Sequence, residues 1–104
     1  MSRIYVAGPM TGLPDFNYPA FNEAERALTE RGHDVVNPAR AWDGDTATAK
    51  WSDYMRRGIT DICTAEAVAL LPGWRESRGA TLEHHVATTL GLVVKPLREW
   101  LEGA

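Results

Sequence analysis

Residues 66–91 read EAVALLPGWRESRGATLEHHVATTLG, and the fold is decided there. Residues 67–71 form an uncharged apolar run, as in a strand covered on both faces of a parallel sheet. Pro72-Gly73 ends the run, because Pro brings no N–H to a ladder and Gly adopts turn dihedrals. After a polar loop at 74–77, a helix is expected from Ser77 or Arg78 to Gly91, with Ser77 as N-cap and Gly91 just past its end. Glu83 is the odd residue of that helix. Ala80, Val86 and Ala87 lie one turn from it and Leu90 two turns on, so a carboxylate interrupts the apolar stripe. A buried charge is costly unless paired or put to use, and the alternative is a Glu at the stripe's margin with its head in water. Ligands of open α/β sheets bind beyond the carboxyl ends of the strands, the edge at which this helix begins.

Working outward, residues 3–7 (RIYVA) give a first strand and Gly8-Pro9 closes it. The loop that follows, GPMTGLPDFNYP, is rich in Gly and Pro and carries Phe16 and Tyr18, as ligand-binding loops at this position do. It lacks both the GxGxxG of dinucleotide sites and the GxxxxGK[ST] of P-loops, so no nucleotide cofactor is expected. Asn17 is placed as the cap of a helix with Pro19 in its first turn, an apolar stripe of Phe21, Ala24 and Leu28, and Gly32 as its stop. Residues 33–37 (HDVVN) make a second strand, with His33 as a solvated turn residue at its amino end. Residues 39–50 are the least structured stretch, and Trp42 and Trp51 are placed as flanks of the site. Asp43, Asp45 and Asp53 are too loosely spaced for a Ca²⁺ loop. A helix over 51–65 carries Tyr54, Met55, Ile59, Ile62 and Cys63 at helical spacing, with Cys63 read as a buried thiol. Residues 92–95 give a fourth strand and 97–101 a short terminal helix.

The alternation of strand and helix, with right-handed crossovers, predicts an α/β fold: a small doubly wound, Rossmann-like parallel sheet of order 2-1-3-4 with helices on both faces. Its switch point lies between strands one and three, which brings the loop after residue 7 and the segment 72–83 over one crevice. The 104 residues are expected to make one domain, of ordinary globular composition at 44% hydrophobic and 24% charged. A net charge of −3 gives no case for a nucleic-acid polymer or a membrane surface. No apolar run approaches the ~20 residues that span a bilayer, and the N-terminus lacks a signal-peptide pattern, so a cytoplasmic protein is expected. The single Cys63 forms no intramolecular disulfide, and His33, His84 and His85 do not share metal-ligand spacing with it. Trp100 and Leu101, on a terminal helix with little core left to cover, predict an apolar patch and a homodimer or larger homo-oligomer.

Two motifs together, IYVAGPMTG and LLPGWRESRGATLEHHVA, resemble the nucleoside 2-deoxyribosyltransferase-like superfamily over nearly the whole chain. They look most like a small branch common in bacteriophage genomes. The resemblance implies that a Glu on the third main helix, here Glu83, attacks the anomeric carbon of a nucleoside or nucleotide and forms a glycosyl-enzyme. It implies a Tyr of the first strand, here Tyr5, hydrogen-bonded beside that Glu. It also implies an Asp one helix earlier, and the matching position is Gly58, with Asp61 placed as the substitute. A Gly in a helix costs about 1 kcal/mol relative to Ala and brings no chemistry.

The chemistry agrees with the resemblance. Breaking an N-glycosidic bond builds oxocarbenium character, which a carboxylate stabilises or traps, while the leaving base takes a proton. A sugar phosphate fits the start of the third main helix, where Ser77, Arg78 and Gly79 offer donors and a favourable dipole, with Arg75 assisting. Simple capping and surface charge account for those residues equally well. The expected site thus joins Gly8, Pro9, Met10 and Phe16 to Trp74, Ser77, Arg78 and Gly79 around Glu83, Tyr5 and Asp61. The expected partner is a small nucleoside or nucleoside 5′-monophosphate. The competing readings are a nucleotide-binding module without turnover, which Gly58 favours, and a hydrolase of NAD-like dinucleotides, which the absence of a visible second nucleotide subsite disfavours.

Overall fold

A computed structural model describes residues 2–41 and 48–102; the expectations for Trp42, Asp43 and Asp45 lie outside the described residues. The strands β1 (Arg3–Ala7), β2 (Asp34–Val36), β3 (Ala67–Leu70) and β4 (Val93–Pro96) form one sheet of order β2-β1-β3-β4. Every pairing is parallel, with Tyr5 opposite Val36 on one side and Val68 on the other. The helices are α1 (Tyr18–Glu30), α2 (Pro38–Ala41), α3 (Trp51–Thr64), α4 (Arg78–Thr89) and α5 (Leu97–Leu101), with one-turn 3₁₀ helices at Pro14–Asn17 and Trp74–Glu76.

Strand periodicity divides the core between the two faces. Ile4 and Val6 of β1 and Ala67 and Ala69 of β3 meet Phe21, Ala24 and Leu28 of α1, with Trp100 and Leu101 of α5 beside them. Tyr5, Ala7, Val68 and Leu70 point the other way, to Ile62 of α3 and Ala87 of α4. Right-handed crossovers impose this division. The step from β1 outward to β2 puts α1 on one face, and the return to β3 and on to β4 puts α3 and α4 on the opposite one. Tyr5 therefore faces the helix that carries Glu83.

Several local expectations are corrected. The stretch after Asn37 begins with a helical turn, because buried Asn37 accepts from Ala39 N through Oδ1 at 2.9 Å and opens α2. Asn17 sits before α1 with a φ of 61° and gives no side-chain cap; its Nδ2 instead donates to Pro9 O at 3.0 Å. His33 is partly buried rather than solvated: Nδ1 accepts from Ser2 N at 3.2 Å and the ring meets Trp100 edge-on. Cys63 is exposed, since Ile62 takes the sheet-facing position and the next residue turns about 100° away. Leu90 is likewise exposed, just past the last turn of α4.

The free apolar patch expected at the terminal helix is absent at Trp100 and Leu101, because both pack against the α1-side core. Trp100 Nε1 also donates to Val68 O at 3.1 Å, and the Lys95 ammonium lies 4.0 Å from the indole centroid. Trp100→Phe keeps most of the packing and removes the donor. It is expected to cost about 1 kcal/mol, read as a lower urea midpoint at unchanged m-value.

Candidate active site

The loop after β1 and the segment from β3 into α4 do meet over one crevice, a cavity of about 970 Å³ at the carboxyl edge of the sheet. Gly8 permits the meeting: a Cβ there would lie 2.7 Å from Leu71 Cβ, so only a bare backbone passes. Gly8, Pro9, Met10 and Phe16 line one side, and Ser77, Arg78 and Gly79 another. Tyr5, Asp61 and Glu83 also line it.

Tyr5 and Glu83 form a buried pair. Tyr5 is 1% exposed and Glu83 7%, and Tyr5 Oη donates to Glu83 Oε2 at 2.5 Å. No other described residue is seen to donate to that carboxylate. Burial pushes the Glu83 carboxyl up to about 7, and the Tyr5 hydrogen bond only partly opposes the rise. Burial likewise lifts Tyr5 well above the usual phenol range, with the Glu83 charge and the shared hydrogen bond adding to it and the Asp61 charge contributing least. The phenol thus stays a donor, while Glu83 changes charge near neutral pH.

Asp61 belongs to the cavity wall but is engaged with a neighbour. Arg57 Nε donates to both of its oxygens, at 3.3 and 3.2 Å, an i,i+4 pair along α3. At the start of α4, Ser77 Oγ accepts from Ala80 N at 3.1 Å, which is capping, and leaves the hydroxyl proton available. The Arg78 guanidinium lies 4.0 Å from the Trp51 ring centroid and makes no ion pair among the described residues. Phe16 is 58% exposed at the mouth. It stands in a run of left-handed residues, Asp15, Phe16 and Asn17, with φ of 50°, 52° and 61°. Each such residue costs roughly 1–2 kcal/mol, and the Asn17 bond to Pro9 O holds the turn in place.

Trp74 is not part of this cavity, contrary to expectation. The one-turn helix Trp74–Glu76 carries it, with Arg75, into a second cavity of about 510 Å³ at the carboxyl ends of β3 and β4. There the indole stacks on His84 at a centroid distance of 4.4 Å and 21° between planes. Glu76 lines both cavities. Trp51 flanks the larger cavity as expected, Gly58 lines it at the position matched to the family's Asp, and Met55 of α3 is a lining that sequence reasoning missed. Gly58 did carry a signal, a glycine one turn before buried Ile62 in a helix, which marks a close approach. Among the described residues no group of three or more His, Cys, Asp or Glu is arranged to hold a metal ion, and no helix is long and apolar enough to cross a membrane.

Comparison with known proteins gives two findings. The family model described as a domain of unknown function, DUF4406, matches residues 2–96. Among solved structures, a 2-desoxiribosyltransferase from Leishmania mexicana superposes with a TM-score of 0.69 at 19% identity, over 92% of this chain. The chain spans 63% of the length of that protein. No curated protein matches. At this identity the likeness establishes the fold, which is deoxyribosyltransferase-like.

Proposed function

From a chain that belongs to the DUF4406 family and has a deoxyribosyltransferase-like fold, we propose an enzyme that breaks the N-glycosidic bond of a nucleoside or nucleoside 5′-monophosphate. The observation that carries this reading is the Tyr5–Glu83 pair, buried yet lining a cavity of about 970 Å³ at the sheet's switch point. A Glu83 oxygen attacks the anomeric carbon, the carbon–nitrogen bond breaks, and the base leaves with the electron pair and takes a proton from solvent. Water or a second base then attacks the same carbon and releases the carboxylate. Tyr5 holds Glu83 in one orientation and favours its ionised form over the protonated one. Phe16, exposed at the mouth, offers the base an aromatic face.

A phosphate on the sugar is received at the start of α4. Ser77 Oγ, the N–H groups of the first turn and the Arg78 guanidinium, which makes no ion pair among the described residues, lie there beside the helix dipole. Arg78→Ala is expected to raise KM for a nucleoside monophosphate about tenfold, or 1.4 kcal/mol, and to leave the unphosphorylated nucleoside unchanged. Steady-state kinetics on the two substrates reads the difference.

Incubation with a panel of nucleosides, their 5′-monophosphates and NAD-like dinucleotides, followed by chromatography for free base, tests the reaction. Base release from a nucleoside or monophosphate supports the reading, and binding without release from any member sinks it. The second cavity favours one further substrate. It adjoins the first across Glu76 and presents Trp74, Arg75 and Arg98, a place for the far half of a dinucleotide. Release of nicotinamide from the dinucleotide alone would select that reading.

A further inference from the structure

Gly58 stands in the middle of α3, buried, although glycine is among the poorest helix formers. Its backbone is not the reason, since Gly58 is not among the residues of positive φ. Space is the reason. A Cβ at this position would lie 2.5 Å from Glu83 Oε2 and 2.8 Å from Tyr5 Oη, closer than non-bonded contacts of a Cβ normally come, so one of the two must shift to admit it. The bare backbone of α3 is therefore the third wall of the Tyr5–Glu83 pair, opposite the strand that supplies Tyr5 and the helix that supplies Glu83.

We propose that Gly58 is a positioning residue, which lets α3 press the Glu83 carboxylate against the Tyr5 hydroxyl and fixes its aim into the cavity. A side chain at 58 displaces the carboxylate toward the cavity it lines and opens the short hydrogen bond. The kinetic part of this inference rests on Glu83 acting as proposed above; the packing part does not. An Asp at position 58 meets the same contacts and enters only if the Glu83 carboxylate and the Tyr5 hydroxyl move, so in this arrangement of the pair the glycine is a fitted component of the site. The glycine then has a packing reason of its own and does not by itself argue for a module without turnover.

The test is Gly58→Ala, made in the parent and in a Tyr5→Phe, Glu83→Ala background that removes both clashing oxygens. In an ordinary helix the substitution raises the urea midpoint. Here it is expected to lower the midpoint in the parent and raise it in the truncated background, an inversion that helix propensity alone does not produce. In base release, Gly58→Ala is expected to lower kcat about a hundredfold with KM within about threefold, and to move the rising limb of the pH profile to lower pH, because escape from burial, the larger effect on Glu83, outweighs the weakened Tyr5 hydrogen bond. A raised midpoint in the parent, or the same shift in both backgrounds, overturns the packing inference. Unchanged kcat and an unchanged profile overturn the positioning role. A parent without base release on any substrate would defeat the proposed function and leave the stability inversion standing. Should the parent variant not fold, its recovery in the truncated background supports the inference and its failure there sinks it.

Discussion

Glu83→Gln is expected to lower base release by about a thousandfold or more, and at the same time to make the protein more stable above neutral pH. The two effects share a cause. Gln keeps the shape and accepts from Tyr5, but it has no anionic oxygen to form the glycosyl ester and no charge to bury. The sign of the stability term follows from the raised proton affinity. The folded protein holds the Glu83 proton up to about pH 7, against an ordinary value of 4.5. Stability from this group is therefore fully present below pH 4.5 and lost as the pH rises through 7. A gap of that size corresponds to about 3 kcal/mol, all of it present by pH 8. Urea unfolding of both forms at pH 5 and pH 8 measures it: the variant should gain little at pH 5 and about 3 kcal/mol at pH 8. Equal gains at both pH values would mean that Glu83 is not buried as a titrating acid. Full retention of base release by the Gln form would remove Glu83 as the nucleophile. A loss of ligand affinity, with no turnover in either form, would instead make it a ligand-holding group.

Tyr5→Phe removes the hydrogen bond that partly holds Glu83 in its ionised form. Phe fills the same core position, so the fold should tolerate the change. A hydrogen bond to a charged group is worth about 1.5–3 kcal/mol, which is one to two pH units on Glu83. The rising limb of the rate–pH profile should start near pH 7 in the parent and move upward by that amount. At pH 7 base release then falls roughly 5- to 50-fold, and part of it returns at pH 9. A uniform loss at every pH would assign Tyr5 to orientation alone. An unmoved limb with full rate would take it out of the mechanism.

The sequence by itself determined the sheet and the edge of it at which the candidate site lies. Strand and helix periods are local properties of the chain, and with right-handed crossovers they leave little choice but β2-β1-β3-β4. The same local reading marked Glu83 as a carboxylate in an apolar stripe, and it lies there at 7% exposure. Alternation along RIYVA even carried the orientation of Tyr5, because residues 5 and 7 must share a face. What only the tertiary structure decided is what stands across from each of these groups. Gly58 reads as a missing carboxylate until Glu83 and Tyr5, far away in sequence, are seen to occupy the volume its side chain would need. Trp74 reads as a wall of the larger cavity until the turn at 74–76 carries it to the other one, against His84. Trp100 reads as a free apolar surface until Val68 O takes its N–H and the α1-side core takes its ring. Periodicity reports how often a side chain turns inward; the identity of its neighbour is set by close packing between distant segments, which no local pattern encodes.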